Sequence, residues 1–165
     1  MKAHFRMMAA YNAWANRRLY AAASDLPEAE YHLDLGTFFG SAHGTLNHIM
    51  VADLIWIARI RGQRNPPFGL DHILHEDLGE LTSARKVLDD DIARLVEAQD
   101  AASLAGEFTY ATVTDHREVT QPLAPALAHL FNHQTHHRGQ VHALLTRLGR
   151  AAPALDLIYF QREAA

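Results

Sequence analysis

The chain contains no cysteine, which excludes disulfides, thiolate zinc sites and a cysteine nucleophile. No apolar run reaches the roughly 18 residues that a transmembrane helix requires, so no membrane partner is expected. The opening stretch meets Asn12, Asn16, Arg17 and Arg18 before a signal-peptide core could form, and the expected compartment is the cytoplasm. Lys and Arg number 15 against 19 Asp and Glu, giving a formal net charge of −4. Tight nucleic-acid binding draws most of its affinity from Lys and Arg on phosphates, and no Lys/Arg stripe interleaved with aromatics is present. No nucleic-acid partner is expected. With 9 glycines and 6 prolines in 165 residues, chain breaks are few, and the helical period dominates.

What the chain does have is 48% apolar residues and 21% charged ones, which fit one globular domain over residues 1–165. A chain of this length buries roughly 70% of its unfolded surface. It needs no metal merely to fold, so a metal site here points to function. Residues 2–23 read as a first helix, with Phe5, Met8, Tyr11 or Asn12, Ala15, Leu19 and Ala22 at three-to-four spacing and a stop at Ser24-Asp25-Leu26-Pro27. A second helix is expected over 41–61, with Ser41 as N-cap and Gly62 as the residue past its end. A third spans 76–98, with Leu78, Leu81, Val87 or Leu88, Ile92, Leu95 and Val96 inward and Asp89, Asp90 and Asp91 facing solvent. Between 104 and 121, Phe108, Tyr110 and Val113 alternate with threonines, which predicts a short hairpin or extended crossover. Pro122 and Pro125 open a fourth helix running to about 148 before Gly149 and Pro153, and a short fifth segment covers 154–161. Four long amphipathic helices with one long connection predict an all-α four-helix bundle.

Histidine is where chemistry concentrates: 12 residues, with His133 and His137 in the run Asn132-His133-Gln134-Thr135-His136-His137-Arg138-Gly139-Gln140. Residues i and i+4 share one helix face, so two imidazoles can converge on one cation at about 2.0 to 2.1 Å. By the helical period, His137 lies within roughly 45° of the sector that holds Leu127, Leu130, Phe131, Val141, Leu144 and Leu145, and His133 lies near its edge. His129 and His136 lie well over 100° away by the same arithmetic. His129, His136 and His142 are therefore expected at the surface or behind the site. Periodicity leaves open whether His133 and His137 are ligands or hydrogen-bonded core histidines. A third donor must come from another helix, and His48 is the best candidate, although the second helix is apolar almost all round and its direction is not fixed. His4, His32, His43, His72, His75 and His116 are expected in solvent.

Other motif classes fail on inspection. His75-Glu76 begins like His-Glu-x-x-His, but Gly79 stands where the second ligand is needed. No Glu is followed three residues later by His, which removes the di-iron carboxylate bundle, and no phosphate loop or Gly-x-Ser-x-Gly elbow occurs.

Across nearly its whole length the chain resembles the DinB family of damage-inducible bacterial proteins, also described as DinB/YfiT-like metalloenzymes. The run 132–140 looks like that family's fourth-helix signature. Thr45-Leu46-Asn47-His48-Ile49 with Asp53 and Trp56 looks like its second-helix motif, Tyr11 to Asn16 its opening helix, and Asp156 to Arg162 its C-terminal ending. The resemblance implies an up-down-down-up bundle, commonly a homodimer, with His48, His133 and His137 as ligands of one divalent metal. Zinc or nickel is expected, and iron and cobalt also suit imidazole. It further implies a metal-dependent hydrolase or a thiol-dependent S-transferase acting on a small molecule, with a low-molecular-weight thiol as cosubstrate in the second case. The alternative is a noncatalytic metal-binding stress-response dimer. No catalytic base is identified.

Overall fold

The computed structural model describes residues 1–163; the last two residues of the domain expected over 1–165 lie outside the described residues. Its elements run α1 (Lys2–Ser24), α2 (Glu28–Tyr31), α3 (Ala42–Ile60), α4 (Leu78–Glu97), α5 (Ala101–Ala105), β1 (Glu107–Ala111), β2 (Glu118–Pro122), α6 (Leu123–Arg147) and α7 (Leu157–Glu163). The four long helices are those the periodicity predicts. Ser41 caps α3 by accepting a hydrogen bond from the Gly44 amide at 3.0 Å, and Gly62 leaves it at φ +67°. That left-handed conformation costs glycine little because it has no Cβ.

Contacts between the helices fix their directions. The start of α1 meets the end of α4 through Arg6 and Glu97, so these two run antiparallel. Trp56 against His129 and His48 against His137 do the same for α3 and α6. Asp53 with Arg85 and Arg61 with Asp91 make α3 and α4 parallel, and Phe5 against Phe131 with Asn12 against Arg138 make α1 and α6 parallel. The result is the up-down-down-up bundle. A parallel neighbour cannot be reached by a tight turn, so the α3–α4 connection runs long, over residues 61–77. Leu19, Leu46, Ile49, Leu81, Ile92, Leu127, Leu130, Phe131 and Leu145 fill the interior, each 2% exposed or less.

The crossover before α6 is a two-stranded antiparallel hairpin, with Tyr110 opposite Val119 and Phe108 opposite Gln121. Two short helices, α2 and α5, were not legible in the sequence. Helices of four or five residues cannot stand alone; Tyr31 of α2 and Leu104 of α5 are held by burial in the main core. The C-terminal segment folds back on α1, where the Tyr11 hydroxyl donates to the Leu155 carbonyl at 2.7 Å and Trp14 Nε1 donates to Glu163 at 2.7 Å.

One expectation needs correction. Asp89 does not face solvent: it is 6% exposed, and it accepts hydrogen bonds from Asn12 at 3.1 Å and Asn16 at 2.9 Å. Arg85 on the same helix lies 2.9 Å away, out of line for a hydrogen bond but close enough for charge contact. Opposite charge on its own helix and amide donors on α1 compensate the desolvation that would otherwise expel a carboxylate. Asp90, one residue on, is exposed as expected.

Candidate metal centre

Helix α6 carries two neighbouring i, i+4 pairs, and each pair has its own task. His133 and His137 face α3, where His48 approaches them. Gln134 and Arg138, one residue on, are buried at 0% and 2% exposure and face α1 and the interior. Arg138 donates to Asn12, Asn16 and Gln134; Gln134 donates to Asp53; Arg85 donates to the same carboxylate. This chain of contacts crosses all four long helices. It sets the rotation of α6, and thereby the direction in which the adjacent histidines point.

His48 is held from two sides. The buried Asn47 side chain accepts from the amides of Leu74 and His75 at 2.9 and 3.0 Å and donates to the His43 and His75 carbonyls, both at 3.1 Å. All its hydrogen-bonding capacity is thus used, three of the four bonds fastening the 61–77 connection to α3. That connection presents the Leu70 carbonyl, which lies 2.7 Å from His48 Nδ1. On the other side the Phe39 ring stacks on the imidazole with centroids 3.7 Å apart. Gly44 makes that approach possible: a Cβ there would stand 2.2 Å from the Phe39 carbonyl oxygen.

These contacts select tautomers. A carbonyl can only accept, so His48 Nδ1 carries the proton and its Nε2 presents a lone pair. His137 Nδ1 lies 2.8 Å from Gln140 Oε1, and Gln140 Nε2 meets His136 Nε2 at 3.2 Å, so the amide oxygen accepts from His137 and frees its Nε2 likewise. His48 Nε2 and His133 Nε2 stand 3.2 Å apart. Two donors bound to one tetrahedral ion at the usual nitrogen distance would be about 3.3 Å apart. One ligand atom from each of His48, His133 and His137 can be chosen so that all lie within 4.8 Å of one another. Burial pushes His48 down to about 4 and His133 down to about 3, with the other imidazoles adding to the effect at His133; burial lowers His137 as well. All three are neutral at pH 7, as metal ligands must be. The donor set fits a divalent transition metal.

Beside two of the three histidines lies a cavity of about 270 Å³, bounded by His48, His133, Trp56, Leu70, Thr112 and His129 among others. His136 is exposed, as the period predicts. His129 is exposed too, yet it borders this cavity, 5.8 Å between ring centroids from His133. Asp53, five residues past His48, points into the polar chain described above and away from the histidines.

A second correction concerns His43, expected in solvent and found 7% exposed. Its ring packs at a tilt against that of His32 and approaches Glu76 at 3.4 Å, and these three form a further cluster of possible donors. His32 and Glu76 are exposed, and His43 Nε2 is 3.2 Å from the His75 carbonyl. The cluster has one buried member against the two of the first group, and that member's Nε2 is committed to a carbonyl. It is the weaker of the two. The position of His43 two residues past the cap of α3 disguised its burial, which comes from α2 and the 61–77 connection.

The chain is thus a four-helix bundle that gathers three histidines from α3 and α6 into one cluster of possible metal donors. The DinB family model matches residues 1–164, and the chain belongs to the DinB family. It is 29% identical over 160 residues to protein DinB of Bacillus subtilis (strain 168), covering 88% of this chain and 87% of that one. Two solved structures share its fold. One is a DinB-like protein from Bacillus cereus ATCC 10987, with TM-score 0.65, 15% identity, and coverage of 85% of this chain and 89% of the other. The second is YfiT from Bacillus subtilis, described as a probable metal-dependent hydrolase with an unusual four-helix bundle topology, with TM-score 0.70, 13% identity, and coverage of 92% and 91%. No helix among the described residues is long and apolar enough to cross a membrane.

Proposed function

We propose that this protein binds one divalent transition metal through His48, His133 and His137 and uses it to act on a small molecule, as a metal-dependent hydrolase or a thiol-dependent S-transferase. The observation that carries this reading is the convergence of three neutral imidazoles, two of them with their free nitrogen fixed by a hydrogen bond at the other ring atom. Three neutral ligands leave the ion its full positive charge, so the metal would supply Lewis acidity and lower the pKa of a bound water or thiol. The protein's own residues orient and exclude. Leu70 and Gln140 hold the rings of His48 and His137, Phe39 covers one face of His48, and the 270 Å³ cavity leaves room for a ligand beside His48 and His133. That cavity favours catalysis over plain metal storage, which would need no adjoining space. YfiT's description as a probable metal-dependent hydrolase agrees with the first arm.

Zinc and nickel head the choice of ion, with iron and cobalt compatible with imidazole. A homodimer belongs to the same proposal and is checked by light scattering, where a single-chain mass refutes it. The two chemical arms are separated by cobalt substitution. Added cysteine or glutathione changes the visible spectrum if sulfur enters the coordination sphere; an unaltered spectrum removes the transferase arm and leaves hydrolysis.

A further inference from the structure

Arg59 of α3 is a buried cation for which the bundle supplies no counter-charge. It is 8% exposed, and no carboxylate among the described residues lies within ion-pair distance of it. Its Nε donates to Asn65 Oδ1 at 3.1 Å; its two terminal amino groups have no hydrogen-bond partner among the described residues. Instead the guanidinium lies over two aromatic faces, 4.8 Å from the Trp56 centroid and 4.5 Å from that of Tyr110. Asn65 is itself anchored, donating to the Ala111 carbonyl at 2.7 Å, so the whole group is fixed before any ligand arrives. Cation–π contact offsets part of the desolvation of a buried charge, but an anion offsets more. Burial lowers the Arg59 pKa, in keeping with a cation short of compensation.

The same residue borders the cavity that touches His48 and His133. Along α3 the cavity is lined by His48, Ala52, Ile55, Trp56 and Arg59, spaced i, i+4, i+7, i+8 and i+11, which is one helix face. Eleven residues of helix rise separate the α-carbons of His48 and Arg59 by about 16 Å. A guanidinium lying back over the ring of Trp56, about one turn nearer the histidines, shortens the gap to roughly 12 Å. The cavity therefore joins a cluster of metal-type donors to a forked, fixed hydrogen-bond donor.

We propose that Arg59 is the anion-binding end of the ligand cavity, and that the small molecule taken there carries a carboxylate at one end and a metal-binding group at the other. This rests on the metal-centre reading above and narrows its substrate class. The planar fork of Arg59 matches a carboxylate in a bidentate way that lysine cannot reproduce. Asn65, Trp56 and Tyr110 act as positioning residues for the guanidinium.

The test uses the full chain loaded with cobalt and two hydroxamates of equal length, the monohydroxamate of succinic acid and butyrohydroxamate, which differ in the far carboxylate. Hydroxamates bind metals by oxygen, so the result does not depend on whether the natural ligand is a thiol. Visible-spectrum titration is expected to show the carboxylated compound binding wild type at least about tenfold more tightly than the neutral one. Arg59→Gln is expected to hold one cobalt per chain and to abolish that preference, with Arg59→Lys restoring part of it. A merely structural Arg59 would alter both compounds alike. Equal affinity in wild type, a preference that survives in Arg59→Gln, or no spectral response to either compound while cobalt is held overturns the inference and leaves the metal centre standing. Failure of wild type to hold cobalt contradicts the metal centre itself, and this inference with it.

Discussion

Arg85→Met is the perturbation that most directly tests how the bundle sets the orientation of its histidines. Arg85 is 2% exposed and lies between Asp53 of α3, 1% exposed, and Asp89 of its own helix, 6% exposed. Burial pushes both carboxylates upward in pKa, and Arg85 is the strongest opposing influence on each. Methionine approximates the stem but removes the charge, leaving two carboxyl groups in the interior with amide donors from Asn12, Asn16 and Gln134 and a single nearby cation, Arg138. Breaking a buried pair from one side costs about 3 to 5 kcal/mol. For a chain of this size each kcal/mol lowers Tm by roughly 2 to 4 °C, so a fall of about 10 °C is expected by calorimetry, with a matching loss in urea titration. Replacing Asp53 by Leu in the same chain leaves one buried carboxylate, Asp89, against one buried cation, Arg138, and is expected to recover part of the loss. A loss below about 1 kcal/mol for Arg85→Met, or no recovery in the double variant, would refute the reasoning that charge compensation organises this interior.

Two further outcomes follow from the geometry. His136→Ala is expected to keep full metal content by elemental analysis, because His136 is exposed, lies outside the three-histidine cluster and meets it edge-on at His137, 4.8 Å between ring centroids, and through Gln140; metal loss in that variant would mean the ligand face is misassigned. Glu97, held down to about 2 chiefly by its hydrogen bond to Arg6 with help from Lys2, is titratable in the folded state only in strong acid. Its folded pKa is depressed, so its contribution is complete above the unfolded value and is lost as pH falls toward 2. Glu97→Gln is expected to melt below wild type at neutral pH and to converge with it in strong acid; a Tm gap that persists at low pH would contradict this.

The long helices and their ends were legible because each is long, capped and periodic: Ser41 and Gly62 mark α3, and the apolar stripe of α6 orders its histidines correctly, with His137 buried and His133 half-buried. The direction of His48 was not legible. An apolar helix surface gives the period nothing to discriminate, and what fixes His48 is the Leu70 carbonyl on a distant connection. Asp89 and His43 were misread for a related reason, since their burial depends on partners on other elements. A signal for the polar interior did exist. Asn12 and Asn16, like Gln134 and Arg138, are polar pairs at i, i+4 on helices whose neighbouring positions are apolar, and pairs on two helices invite one network. Arg59 carried no signal, because a lone arginine near a helix end is usually solvated, and only the aromatic rings of Trp56 and Tyr110 reveal its burial.

The most direct measurement of the central claim is the metal content of protein purified without a metal-affinity column, compared among wild type, His48→Ala, His133→Ala and His137→Ala after equal exposure to zinc and nickel. The arrangement of three neutral imidazoles predicts one divalent ion per chain in wild type and a sharp loss in each of the three variants. No ion in wild type, or unchanged stoichiometry in all three variants, would contradict it.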